Sequence, residues 1–97
     1  MKNLTKLKVI DANAPEGMKA FAAFDKAAMA AGAIPVKYKE LMALAVAFTT
    51  QCPYCIEIHA NQARAAGVTD QEISEAVMVA AALRAGGAIT HGTHAIK

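Results

Sequence analysis

The 97-residue chain has no tryptophan, and its two tyrosines and three phenylalanines leave it 5% aromatic. So few rings exclude a core of large side chains and a nucleic-acid surface in which basic residues interleave with stacking aromatics. Charge is scarce as well. Asp, Glu, Lys and Arg make up 19% of the residues, with a net charge of +2 and three of the lysines in the first eight positions. The average soluble domain is about 25% charged and about 45–50% apolar. A chain that is 56% hydrophobic lies on the far side of that average from disorder. Alternation of β-branched or aromatic residues with polar ones is nearly absent, which argues against sheet. Met1–Lys8 has no apolar core of signal-peptide length, and the longest uncharged stretch, Leu41–Ile56, is interrupted by Gln51 and Pro53. Secretion and membrane spanning are therefore not expected, and a cytoplasmic location is. Cysteine occurs only twice, and in such a setting a pair is more often redox-active or metal-binding than structural.

What is present in quantity is alanine, about a quarter of the residues, and it is the best helix former. The expectation is an all-α single domain over residues 1–97 with about five to six helices. Each alanine buries little area, and a chain this short buries only about 60–65% of its unfolded surface on folding. Apolar faces should be left over for other subunits, so a homo-oligomer is expected.

Residues 1–13 read as an arm. A first helix is expected from around Asn13–Glu16, with Asn13 as cap and Pro15 in the first turn, ending at Gly32. Pro35 opens a second helix that runs to Thr50, apolar on every face from Leu41 to Phe48 and so expected to be buried all round. Pro53 starts a third helix that ends at Ala66 before Gly67. Thr69 and Glu72 form the capping box of a fourth, with Asp70, Glu72 and Glu75 near its positive end. This helix is apolar all round from Ala76 to Leu83 and is expected to break at Gly86-Gly87. Residues 88–97 are then a short tail or a last helix.

The chemistry-bearing stretch is Glu40, Cys52-Pro53-Tyr54-Cys55 and His59. On a helix beginning near Cys52, Cys52, Cys55 and His59 fall at i, i+3 and i+7, on one face. The first helical turn favours a thiolate through its unpaired N–H groups and the positive end of the dipole. His59 lies one turn from Cys55, within reach to take its proton. A Cys52–Cys55 disulfide would close too short a loop to add much stability, so its value lies in opening and closing. Glu40, at the margin of an apolar helix, needs a partner, and an imidazole suits it.

The spacing E-x11-C-x2-C-x3-H, met by Glu40, Cys52, Cys55 and His59, resembles that of the AhpD-like alkylhydroperoxidases of the carboxymuconolactone decarboxylase superfamily, over about residues 18–86. The resemblance implies an all-α fold assembled as trimers or hexamers. It implies that Cys55 attacks a peroxide, that Cys52 resolves the sulfenic acid and takes electrons from a protein or dithiol reductant, and that Glu40 and His59 relay the proton. Tyr54 stands where the best-known members carry a second relay histidine, and the chain is about half their length. No cofactor or metal is expected, and the substrate is a peroxide or a disulfide.

Other readings stay open at this level. Cys52, Cys55 and His59, with Glu40, His91 or His94 as a fourth ligand, make a conceivable zinc site. The cysteines can equally be small buried residues of an assembly domain. A carboxymuconolactone decarboxylase would share the fold without depending on the cysteines. His91 and His94 read as exposed tail residues, and Glu57, Asn61 and Arg64 as a solvated face.

Overall fold

A computed structural model describes residues 2–97, so Met1, the start of the expected arm, lies outside the described residues. Among them are five α-helices, two short 3-10 turns and no strand, which is the all-α architecture expected. The helices are α1 (Leu7–Asn13), α2 (Pro15–Met29), α3 (Val36–Thr50), α4 (Pro53–Ala65) and α5 (Asp70–Gly92). The chain divides into two compact units, one ending at Val36 and the other Lys37–Lys97.

In the first unit the segment read as an arm is helical, with a 3-10 turn over Lys2–Lys6 and then α1. Asn13 does not cap α2. Its side-chain amide donates instead to the Val9 carbonyl at 2.8 Å, closing the end of α1, and the N-cap of α2 is Ala14. Pro15 still supplies the first helical turn.

The second unit is built on a small core of Leu44, Ala63 and Val68, with Leu41, Phe48, Ala60 and Ile73 packed against it. Leu44 is the pivot, only 1% exposed. Both connections in this unit are tight helix ends of one kind. After α4, Gly67 takes φ +92°, its N–H reaches the Arg64 carbonyl at 3.0 Å, and the Val68 N–H reaches that of Ala63 at 2.9 Å. This is a Schellman ending, with glycine at the left-handed position as expected. After α3 the same kind of ending carries Gln51 at φ 56°, and the Cys52 N–H reaches the Ala47 carbonyl at 3.3 Å. The start of α5 carries both halves of the capping box: the Glu72 N–H meets Thr69 Oγ1 at 3.1 Å and the Thr69 N–H meets Glu72 Oε1 at 2.9 Å.

Two expectations need correction. α5 runs through Gly86 and Gly87 to Gly92, so the tail beyond residue 88 is mostly helix. Glycine ends a helix where it turns left-handed, and neither of these does so; flanked by Ala85 and Ala88 they lower helix propensity by about 1 kcal/mol each without removing a hydrogen bond. Second, α3, expected to be buried all round, is not so within one chain. α3 buries Glu40, Leu44 and Ala47 but leaves Met42 and Val46 more than half exposed, and on α5 Met78, Val79 and Leu83 are exposed. α5 also has the length and apolarity of a membrane span, with a mean hydropathy of 1.3 over its most apolar window, of which 11% is buried.

Candidate active site

The second unit brings the four expected residues onto two facing helices. Glu40 sits in the second turn of α3, while Cys52, Cys55 and His59 follow one face at the start of α4. Cys52 is both the residue that receives the end of α3 and the N-cap of α4. Its backbone is extended, at φ −95° and ψ 102°, and its sulfur occupies the place a serine oxygen takes at an ordinary cap. Pro53 at the first helical position has no N–H to leave unsatisfied.

The site consists of two hydrogen-bonded pairs. In the first, the Cys52 and Cys55 sulfurs are 2.9 Å apart as free thiols, under 1 Å from the covalent separation of about 2.05 Å. Either thiol can donate across that gap, and the backbone decides between them. Cys52 Sγ also accepts the Cys55 N–H at 3.4 Å. The shared hydrogen bond with Cys55 and then this N–H hold the Cys52 thiol below its ordinary value of 9.0. The bond to Cys52 and then burial push the Cys55 thiol up. Of the two sulfurs, Cys52 is therefore the one on which negative charge is the easier to place.

In the second pair, His59 Nδ1 lies 2.8 Å from Glu40 Oε2. Glu40 is 5% exposed, the one buried charged residue among those described, and His59 is partly buried. The carboxylate that the sequence marked as needing a partner therefore has the expected one. With Nδ1 committed to Glu40, Nε2 is the ring nitrogen left for proton exchange.

A fifth residue belongs to this pair. Gln62, oriented so that its nitrogen rather than its oxygen meets the carboxylate, lies 2.9 Å from Glu40 Oε1 and 3.2 Å from Oε2. Sequence reasoning passed over it. The signal was available, since Gln62 continues the i, i+3, i+7 face of Cys52, Cys55 and His59 at i+10.

No group of three or more His, Cys, Asp or Glu side chains among the described residues converges as a metal-ligand set, so the geometry gives the zinc reading no footing. His91 and His94 stand exposed near the end of α5, their ring centroids 5.4 Å apart.

A model of the carboxymuconolactone decarboxylase family matches residues 15–97, a stretch that contains every residue of this site. The chain belongs to that family. Among curated relatives of this carboxymuconolactone decarboxylase family member, the uncharacterized protein 4 in the cox locus of Paracoccus denitrificans is 48% identical over 77 residues, covering 79% of this chain and 69% of the relative. A Haemophilus influenzae relative is 43% identical over 49 residues, which span half of this chain and 43% of that protein. Of solved structures, one from Methanobacterium thermoautotrophicum superposes with a TM-score of 0.80 at 32% identity, covering 86% of this chain and 95% of that one. A family member from Legionella pneumophila gives 0.79 at 33% identity, covering 84% and 73%. A Thermotoga maritima member, for which an antioxidative role has been suggested, gives 0.67 at 32% identity over 82% of each chain.

Proposed function

We propose that the chain is a thiol-dependent oxidoreductase of the alkylhydroperoxidase kind, acting on a peroxide or a disulfide through the Cys52–Cys55 pair. The observation that carries this reading is the 2.9 Å approach of two free thiols at the open first turn of a helix, one turn from an imidazole paired with a buried carboxylate. A structural pair would be expected inside the core, whereas Cys55 is exposed and Cys52 only half-buried. The suggestion of an antioxidative role for the Thermotoga relative agrees with it.

With a peroxide ROOH, the attacking thiolate breaks the O–O bond and forms a sulfenic acid, releasing ROH once the leaving oxygen is protonated. The second thiol then condenses with the sulfenic acid, expelling water and closing the disulfide. The family order makes Cys55 the attacking sulfur. His59, held by Glu40, takes the Cys55 thiol proton at Nε2 and returns it to the leaving oxygen. A protein or dithiol reductant reopens the disulfide by exchange, as suits a cytoplasmic setting. No organic cofactor or metal enters either step.

The exposed apolar residues Met42, Val46, Met78, Val79 and Leu83 support assembly with further copies of the chain, as a trimer or hexamer. Light scattering checks this, and a stable 10.1 kDa species contradicts it.

The test of the activity counts free thiols by mass spectrometry before and after one equivalent of peroxide or disulfide. The wild type should lose both thiols, and Cys52→Ser should trap a sulfenic acid on Cys55. Survival of both thiols under both challenges overturns the reading and leaves a decarboxylase-type role, in which the cysteines are idle, as its successor.

A further inference from the structure

Glu40 is buried, and a buried carboxylate needs both oxygens occupied. Oε2 takes His59 Nδ1 at 2.8 Å, and Oε1 takes the Gln62 amide at 2.9 Å. The same amide nitrogen lies 3.2 Å from Oε2, so it spans the carboxylate edge against which the ring rests. At 2.8 Å a carboxylate oxygen and an imidazole nitrogen need a proton between them, and that proton belongs to Nδ1. Gln62 thus fixes the plane of the acceptor that fixes the ring. Its own side chain is exposed, so the core does not require it.

We propose that Gln62 is a positioning residue: by donating to Glu40 it holds the carboxylate in the orientation that keeps neutral His59 in its Nδ1–H form, with Nε2 bare. Without the amide, Glu40 Oε1 loses this donor, the carboxylate turns toward water, and Oε2 no longer selects one ring nitrogen. The tautomer stands on geometry alone. Its consequence for turnover rests on the thiol-oxidoreductase reading: an Nε2 that is bare at rest and protonated in the charged ring is the atom able to exchange a proton with a reacting group.

The experiment reads the tautomer directly. The full-length chain is labelled with nitrogen-15, with His91 and His94 replaced by asparagine so that His59 is the only imidazole. Long-range proton–nitrogen correlations are recorded over a pH series and read on the alkaline plateau, where the ring-nitrogen shifts themselves report the neutral form. The wild-type pattern should show a protonated Nδ1 and a bare Nε2. In Gln62→Leu, which keeps bulk and helix propensity, the preference for Nδ1–H should fall about fivefold, the equivalent of one ordinary hydrogen bond. Gln62→Glu, which offers a second acceptor in place of the donor, should lose it as well. Circular dichroism checks that both variants fold. An unchanged tautomer in folded Gln62→Leu overturns the inference, as does a wild type with Nδ1 bare. Failure of the redox reading appears elsewhere, in thiols that survive oxidant, and leaves the tautomer result intact.

Discussion

The two helix ends of the second unit differ at one decisive position, and the difference can be measured. Gly67 and Gln51 occupy corresponding left-handed places, at φ +92° and 56°, in endings that use the same six-residue hydrogen bond. A residue with a Cβ costs about 1–2 kcal/mol there relative to right-handed backbone. Glycine escapes that cost but loses about 0.5–1 kcal/mol through the greater freedom of its unfolded state. Gln51→Gly should therefore stabilise the chain by about 0.5–1 kcal/mol, the difference between the two effects. For a domain of this size 1 kcal/mol moves the melting temperature by about 4–8 °C, so a rise of about 2–8 °C is expected. Gly67→Ala is the mirror experiment. An added Cβ there meets nothing within 4 Å, so any loss reports backbone conformation and not a clash. Thermal unfolding followed by circular dichroism, at one fixed protein concentration because assembly shifts the midpoint, reads both. If Gln51→Gly leaves the midpoint unchanged or lowers it while Gly67→Ala lowers it, the strain assigned to Gln51 is not there.

Three further outcomes follow from the site and its scaffold. With Cys52 held below 9.0 by the bond from Cys55 and Cys55 pushed up by the same contact, limited alkylation at about pH 7.5 should modify Cys52 first, with Cys55 following only as the pH rises. In Cys52→Ser the constraint is removed, and Cys55 should alkylate at lower pH than in the wild type; peptide mapping by mass spectrometry reads both. His59→Ala leaves Glu40 buried with the Gln62 amide as its remaining partner, and chemical denaturation should show a loss of about 1–3 kcal/mol. Thr69→Ala removes the oxygen that accepts the Glu72 N–H and should lower stability by about 1 kcal/mol. The Thr69 N–H, then Lys37, hold the Glu72 carboxyl below its ordinary value of 4.5, so its contribution is complete above that pH and fades as the pH falls through the lowered value.

Features governed by local chemistry were legible in the sequence. Thr69 and Glu72 announce a capping box, Pro53 a first turn and Gly67 a helix end, because each acts on backbone groups within four residues of itself. The Glu40–His59 pair was legible for another reason: a carboxylate at the margin of an apolar helix is a debt that an imidazole on the next helix can settle. What stayed hidden depended on alternatives of nearly equal free energy. Asn13 can cap the following helix or close the preceding one, and it does the latter. Gly86-Gly87 stops a helix only by turning left-handed, and local sequence does not say whether it will. Gln51 carries no left-handed signature, and which of the two thiols is the more acidic depends on a sulfur–sulfur and then a sulfur–nitrogen contact that spacing does not reveal.

Every residue of the site lies between Glu40 and Gln62, within one helical hairpin. Its chemistry is local in sequence, so its tolerance of insertions and deletions is sharply divided. Changes of length before α3 or after Val68 leave the relative placement of these side chains alone. One residue inserted between Cys55 and His59 would turn the remainder of α4 by about 100°, carrying His59 and Gln62 away from Glu40 while leaving the thiol pair intact. The hairpin is thus a self-registered unit whose two halves, the thiol pair and the imidazole–carboxylate pair, can be uncoupled by a single inserted alanine.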